Sequence, residues 1–179
     1  MEHRTTPLFH DSDLPLLAVD PGKRYAGLAL FRGKTLWDAG RPDPGDGVRE
    51  PNDVLTEMTS RAVVEWARDR GGRFNCCAEF MQARGRSFKT TSLLELNAVS
   101  GWACGAADNG YLVQVKDWKS TYTKAMIAAW VARELGSTEE QLLAGILAPM
   151  SPDQRSDVVD AVGIGLWAVG RDVRLHKGA

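Results

Sequence analysis

The stretch LPLLAVDPGKRYAGLALF, residues 14–31, decides the fold that the sequence predicts. Its first part, 14–20, is an apolar run that ends in an acid and a Pro-Gly turn, which predicts a buried central strand followed by a turn. The apolar segment 27–31 predicts a second strand. Arg32-Gly33 joins it as a tight hairpin to a third strand at 34–39, so the chain opens with a three-stranded meander.

The rest of the chain alternates between helical spacing of apolar residues and short apolar stretches typical of strands. The predicted elements are a helix from Val54 to the Gly71-Gly72 stop, a strand at 74–80, a helix at 87–109, a strand at 111–115, and helices at 121–135, 138–147 and from the Ser151-Pro152 cap to 169. A meander followed by strand–helix–strand crossovers predicts an α/β fold, with a mixed five-stranded sheet and helices on both faces. The strands at 14–20 and 74–80 are largely apolar, which predicts burial on both faces and a central position for both.

The composition is that of one soluble globular domain, since 44% of the 179 residues are hydrophobic and 25% are charged. We expect a flexible leader over 1–13 and a single domain over 14–179. No apolar stretch is long enough to span a membrane, and the acidic leader does not resemble a signal peptide. The three cysteines lack the spacing of a zinc site or a disulfide framework. They favour a reducing compartment, the cytoplasm.

Two acids stand at the ends of predicted central strands. Asp20 follows the first apolar run, where a crevice can form at the end of the sheet, although Asp-Pro-Gly alone is also an ordinary turn signal. Glu79 lies inside or at the end of the strand at 74–80. A buried carboxylate there must be paired, protonated or bound to a metal; an exposed position just past the strand end is the alternative.

Two further acids, Asp157 and Asp160, stand three residues apart on the last predicted helix and therefore share one face. Like charges at this spacing repel each other unless a cation lies between them. Acids are also common in the first turn of a helix, which explains Asp153 better than it explains Asp160. The two glycines at 163 and 165 weaken this helix and predict its close approach to the sheet.

The four acids offer hard oxygen ligands without a nearby Cys/His set, which suits Mg²⁺ or Mn²⁺ rather than zinc. Two such ions, about 3.5–4 Å apart, hydrolyse phosphodiesters in many nucleases. The formal net charge of −1 does not exclude nucleic acid, because a carboxylate cluster offsets basic residues in the total. The basic residues form two groups, which are either DNA contacts or ordinary solvated charges: Arg84, Arg86 and Lys89, and Lys116, Lys119 and Lys124.

Three motifs, taken in order, resemble RuvC-like Holliday junction resolvases of the RNase H-like superfamily. The segment AVDPGKRYAGLA, residues 18–29, is similar to the family's opening strand, Asp-Pro-Gly and second strand. Ala78-Glu79 resembles its second acid, and RSDVVDAVGIG, residues 155–165, resembles its C-terminal helix with two acids. The resemblance covers about residues 16–169.

The resemblance implies a homodimeric endodeoxyribonuclease of DNA recombination and repair that resolves four-way DNA junctions by two symmetric nicks. It implies Asp20, Glu79, Asp157 and Asp160 as catalytic metal ligands for two Mg²⁺ or Mn²⁺ ions. It also implies that basic residues after the fifth strand support DNA binding or catalysis, which points to Lys119 and, as a catalytic residue, Lys124.

The chain departs from the family pattern in two places. Bacterial members carry an aromatic wedge soon after the second acid, whereas here Phe80 is adjacent to that acid and Gln82 stands near the expected place. The segment 116–124 is also short. Both departures favour a divergent, phage-type member acting in a bacterial or phage-infected cell.

Three other functions fit parts of the pattern. Another RNase H-like nuclease, acting on flaps, other branched DNA or RNA hybrids, has the same acids. An actin-like kinase or ATPase needs a second related domain, for which the chain is too short. A non-catalytic junction-binding module gains nothing from four acids that face phosphate.

The long predicted helix at 87–109 is the expected dimer interface. It carries more apolar residues than one stripe against a sheet needs, although a core position is the alternative for each of them. These residues are Leu93, Leu94, Leu96, Val99, Trp102 and Ala103.

Overall fold

The computed structural model describes residues 7–45, 51–82, 90–119 and 121–171. The five strands of this part are β1 (Leu16–Asp20), β2 (Gly27–Arg32), β3 (Thr35–Gly40), β4 (Asn75–Phe80) and β5 (Gly110–Gln114). They form one sheet in the order β3-β2-β1-β4-β5. The meander β1-β2-β3 is antiparallel, and β1, β4 and β5 run parallel. The mixed sheet and the central positions of β1 and β4 are as predicted.

Helices cover both faces of the sheet because alternate strand residues are apolar on both sides. The helices are α1 (Asn52–Gly71), α2 (Thr90–Gly105), α3 (Val115–Trp118), α4 (Lys124–Glu134), α5 (Ser137–Leu147) and α6 (Pro152–Ala168). Leu17 and Val19 of β1 pack with α1 and α2 on one face. Leu16 and Ala18 pack with α4 and α6 on the other face. The strand β1 therefore lies between two apolar cores.

The helix α6 packs closely against the sheet, as its glycines predicted. A Cβ atom added to Gly165 would lie 2.0 Å from the ring of Phe31 on β2. A side chain at this position would therefore push α6 away from the strand. The residues from Ala161 to Ala168 are all buried.

The ends of two elements and one short helix differ from the predictions. The strand β5 is followed directly by α3, a single turn that the apolar spacing did not reveal. The helix α4 begins at Lys124 rather than 121, because Thr123 is extended and its hydroxyl accepts a hydrogen bond from the Met126 amide. The helix α2 ends at Gly105 rather than 109; the predicted start at 87 lies outside the described residues.

Residues 7–13 of the predicted leader lie against the domain. The amide of Leu8 donates to the Ala168 carbonyl (2.9 Å), and Leu8 and Phe9 pack against the core beneath α6. The side-chain amide of Asn75 donates to the Ser12 hydroxyl. The prediction of a flexible leader did not anticipate these contacts; residues 1–6 lie outside the described part. No helix within the described residues is long and apolar enough to cross a membrane.

Candidate active site

The first two acids lie at the same end of the sheet because β1 and β4 are parallel neighbours. Val19 pairs with Ala78, so Asp20 and Glu79 each follow one residue later on adjacent strands. Asp20 is partly exposed, whereas Glu79 is only 4% exposed. A buried glutamate and a strand-terminal aspartate therefore share the carboxyl end of the two central strands.

A hydrogen-bond clamp from α2 fixes the end of β4. The Ser100 hydroxyl donates to the Glu79 carbonyl (2.6 Å). The Asn97 side chain accepts from the Met81 amide (2.9 Å) and donates to the Met81 carbonyl (3.0 Å). These bonds hold the backbone that carries Glu79 where regular strand pairing ends.

The helix α6 brings Asp157 and Asp160 to this end of the sheet. Its close approach depends on Gly27, the first residue of β2, since a Cβ atom there would lie 2.0 Å from the Asp157 carbonyl oxygen. Gly27 also pairs with Asp20 across the antiparallel ladder. The glycine that starts β2 therefore lets the acidic turn of α6 lie beside the end of β1. Asp160 is only 6% exposed.

The electrostatics of Asp20 show that the four acids act on one another. The pKa of Asp20 is raised well above its ordinary value, first by burial and then by the negative charges of Glu79, Asp160 and Asp157. The positive charge of Lys119 opposes this shift only in part. Asp20 receives no side-chain hydrogen bond within the described residues. The cluster thus carries more negative charge than nearby protein groups neutralise.

The other three acids each have a protein partner. The indole Nε1 of buried Trp118 donates to Glu79 Oε2 (2.8 Å), but burial still raises the Glu79 pKa. Lys119 Nζ lies 2.5 Å from Asp160 Oδ2. Arg41 Nε donates to Asp157 Oδ2 (3.2 Å).

The pKa of Asp157 is raised by burial, although the positive charges of Arg41 and Lys124 oppose the shift. Lys124 therefore lies close enough to the acids to act on them. It is exposed at the start of α4 and lines a cleft between α4 and α6 that Asp160 also lines. Lys119 forms an ion pair with Asp160 inside the cluster, and its predicted contact with DNA stays a prediction.

Of the remaining predicted DNA contacts, Lys116 is the one that lies within the described residues. Lys116 is exposed on α3. Arg84, Arg86 and Lys89 lie outside the described residues, and so does the predicted start of the helix that follows them.

The donor chemistry of the cluster fits a hard divalent cation. All four candidate ligands are carboxylates, and a cation between them would relieve the repulsion that raises the Asp20 pKa. However, no three acidic, histidine or cysteine side chains in the described ranges are already arranged around one point as metal ligands. Two of the four acids instead form ion pairs with basic side chains, Asp160 with Lys119 and Asp157 with Arg41.

Three site residues were not singled out by the sequence. Trp118 lies on the short helix α3, whose single turn has no periodic signal. Arg41 follows β3 in a segment that reads only as a loop. Tyr25 belongs to the recognised opening motif, but the side chain itself carries no chemical signature until the guanidinium of Arg41 is found 4.0 Å from its ring.

The outer face of α2 is partly apolar. Leu94 is 65% exposed and Trp102 is 50% exposed, whereas Leu93, Val99 and Ala103 are buried. Leu96 is half-buried. The expected interface residues thus divide between the core and a free surface that faces a groove shared with α1.

Solved structures with the same fold give an independent comparison. RuvC from T. thermophilus in complex with a Holliday junction substrate matches 88% of this chain and 93% of its own, with a TM-score of 0.53 and 17% identity. A second T. thermophilus RuvC structure has a TM-score of 0.50 and 18% identity, and the match covers 88% of this chain and 94% of that structure. The yeast mitochondrial Holliday junction resolvase Ydc2 has a TM-score of 0.59 and 12% identity, and the match covers 92% of this chain and 80% of the Ydc2 chain.

No protein-family model matches the sequence, and no curated protein matches it either. The structural likeness shows the fold: an α/β, RNase H-like architecture shared with RuvC-like Holliday junction resolvases.

Proposed function

We propose that this protein is a metal-dependent endonuclease that cuts branched DNA, with the four-way junction as its substrate. The observation that carries the proposal is the state of Asp20, whose pKa is raised by burial and by three neighbouring carboxylates at the end of the central strands. Concentrated negative charge repels a phosphodiester and costs stability. A divalent cation bound by these carboxylates would neutralise their charge and could bind the phosphate.

Asp20, Glu79, Asp157 and Asp160 would hold two Mg²⁺ or Mn²⁺ ions. When bound, such ions activate water and stabilise the leaving oxygen of a phosphodiester. The chain's own groups fix the ligands: Trp118 orients Glu79, and α2 holds the backbone beneath it.

The lysines of the cluster have different roles. Lys119 holds Asp160 as a counter-ion at 2.5 Å and limits repulsion before the cations bind. Lys124 is exposed and lines the cleft between α4 and α6 that Asp160 also lines. We assign to Lys124 the stabilisation of negative charge that develops on the phosphate during cleavage.

The choice of a four-way junction is supported by the structural neighbours, one of which was solved with a Holliday junction substrate. Resolution needs two cuts on opposing strands, and a two-fold dimer presents two sites in matching orientations. The exposed Leu94 and Trp102 of α2 are the surface that we assign to this dimer.

The dimer has its own test. Replacing Trp102 with Glu places a charge in the proposed interface and should convert a dimer to monomers in sedimentation velocity at micromolar concentration. Met126→Glu is the matched control, since Met126 is similarly exposed (43%) on α4 and should leave the dimer intact. A wild-type protein that is monomeric alone and with a junction would contradict paired nicking and favour a nuclease that makes single cuts.

The competing function is another RNase H-like nuclease acting on flaps, other branched DNA or RNA hybrids. Cleavage of a mobile four-way junction should be compared with flap, Y-shaped, linear duplex and RNA–DNA hybrid substrates of equal length, in Mg²⁺ and in Mn²⁺. We expect paired cuts in the junction and little cleavage of linear duplex. Preference for a flap or a hybrid over the junction would overturn the substrate assignment while keeping the nuclease chemistry.

A further inference from the structure

Two arginines lie against one tyrosine beside the acid cluster. The guanidinium carbon of Arg41 is 4.0 Å from the centre of the Tyr25 ring, and that of Arg24 is 5.3 Å from it. A guanidinium over an aromatic face is held in orientation and keeps its charge. Tyr25 follows Asp20 by five residues, so Arg24 and Tyr25 lie in the turn that leaves the candidate active site, whereas Arg41 reaches the same ring from the loop after β3.

Arg41 uses only part of its hydrogen-bonding capacity. Its Nε atom donates to Asp157 Oδ2 (3.2 Å), while neither terminal nitrogen has a hydrogen-bond partner within the described part of the chain. A planar guanidinium offers five donors in a fork that matches the oxygens of a phosphate. Arg41 can therefore contact Asp157 and an anionic ligand at the same time.

Arg24 carries a donor that the described residues leave without a partner. Its Nε atom is fully buried and has no hydrogen-bond acceptor there. An unsatisfied buried donor on a charged group destabilises the fold. Because Nε is shielded from solvent, a ligand would contact the terminal nitrogens of the same guanidinium, which are not among the buried atoms without a partner, and its charge favours an anion.

The turn that carries Arg24 and Tyr25 contacts both neighbouring helices. The Thr59 hydroxyl of α1 lies 2.9 Å from the Arg24 carbonyl and 3.1 Å from the Lys23 carbonyl. Lys23 Nζ lies 2.6 Å from Glu95 Oε2 of α2. The backbone that carries Arg24 and Tyr25 is therefore fixed before any ligand arrives, as a preorganised anion site requires.

We propose that Arg24 and Arg41, held on Tyr25, form a binding site for a backbone phosphate of the substrate strand. The ligand is a phosphodiester, since the site adjoins acids that we assign to phosphodiester hydrolysis; in this respect the inference rests on the proposed function. The site lies on the β1–β2 side of the cluster, next to Asp157, whereas Lys124 lies on the α4 side. The substrate strand is thus held from both sides of the acids.

The test is the salt dependence of junction binding, measured by fluorescence anisotropy with Ca²⁺ or without divalent cations. Arg24→Gln and Arg41→Gln should each weaken binding roughly tenfold at low salt, and should lower the slope of log affinity against log salt by about 0.9 for each phosphate that is no longer neutralised. In cleavage assays the defect should fall mainly on KM. Arg41→Lys should recover the slope but not the full affinity, because Lys lacks the fork.

Arg73→Gln is the matched control, because Arg73 pairs with Asp108 beyond the opposite end of β4 and should leave slope and KM unchanged. Tyr25→Phe should behave as the wild type, whereas Tyr25→Leu should weaken binding. Thermal melting of each variant identifies any that fail to fold, and the slope is compared only among folded variants.

The outcomes separate this site from the proposed function. A wild type that cleaves, with Arg24→Gln and Arg41→Gln keeping the wild-type slope and KM, would overturn the phosphate site alone. In that case Arg41 is only a counter-ion of Asp157. A wild type that binds DNA without cleaving, with a lower slope in both variants, would overturn the nuclease and support the phosphate site.

Discussion

Two regions of the molecule bury carboxylates, and they treat them in opposite ways. Glu139 of α5 is 8% exposed and accepts from the amides of Leu36 (2.6 Å) and Gly136 (2.8 Å). Arg171 also donates to both of its oxygens, at 2.7 and 2.9 Å. Although burial alone would raise the Glu139 pKa, these bonds lower it. At the acid cluster, by contrast, the pKa of Asp20 is raised.

The difference separates a structural carboxylate from a functional one. Glu139 has donors for its charge and joins α5 to the β3 edge and to the C-terminal side of α6. The cluster has four carboxylates, with Lys119 and Arg41 as the cations bonded directly to it among the described residues. Burial therefore does not by itself indicate a site; an uncompensated charge does.

The largest effect should come from removing one charge of the cluster. Asp20→Asn and Glu79→Gln should each reduce junction cleavage by about 10³-fold or more, because the amide keeps the size but lacks the charge that holds a cation. Junction binding should be retained or tightened. Single-turnover cleavage and anisotropy check both parts, and turnover close to the wild-type rate would remove the assigned roles.

The same type of change in the structural region should affect stability instead of cleavage. Glu139→Gln leaves Arg171 without its ion pair, so we expect a decrease of about 1–3 kcal/mol in the free energy of unfolding. The folded fraction should cleave at the wild-type rate. Urea denaturation followed by circular dichroism measures the decrease. A cleavage defect in folded Glu139→Gln would contradict the purely structural role of Glu139.

The two regions should also respond oppositely to pH in metal-free protein. Since the Asp20 pKa is raised on folding, the folded state keeps a proton that the unfolded state has released, and stability falls as pH rises from about 4 through the folded pKa. Asp20→Asn should therefore raise Tm at neutral pH. This gain should vanish at acid pH.

Because the Glu139 pKa is lowered, its contribution is present above its ordinary pKa and is lost as pH falls through the folded value. The destabilisation in Glu139→Gln should therefore shrink in acid. Calorimetric melting in EDTA across pH compares both variants. Matching pH profiles for the two would contradict the contrast.

The smallest effects should come from the basic residues that are predicted to contact DNA. Lys124→Gln should lower the salt slope of junction binding by about 0.9 if Lys124 contacts one phosphate. Neutralising Arg84, Arg86 and Lys89 together should lower it further. A slope that remains at the wild-type value in both variants would place the DNA surface elsewhere.

The sequence revealed the parts of the fold and site that have a local signal. The run that ends in Asp20 and the apolar strand around Glu79 predicted the central strands, and these were confirmed. The glycines of α6 predicted its close approach to the sheet, which was also confirmed. In each case the local residue types, an apolar run or a glycine within a helix, are enough to predict the structure, because the physical effect does not depend on distant parts of the chain.

The residues that the sequence did not reveal depend on tertiary contacts. Trp118 meets Glu79 from 39 positions away, and Arg41 meets Asp157 from 116 positions away. Lys119 meets Asp160 from 41 positions away, and nothing in its local sequence shows that this acid lies beside it. Such pairings follow only from strand order and from the path of α6 across the sheet.

In the proposed enzyme, divalent cations balance the negative charge of the four acids and give the protein its nuclease activity. The most direct measurement is cleavage of a four-way junction by wild-type protein after removal of metals with EDTA, followed by addition of Mg²⁺ or Mn²⁺, with Asp20→Asn alongside. We predict no cleavage in EDTA, cleavage restored to the wild type by either ion, and cleavage by Asp20→Asn that stays lower by about 10³-fold or more at every metal concentration. Cleavage in EDTA, or equal cleavage by wild type and Asp20→Asn after metal addition, would contradict the account.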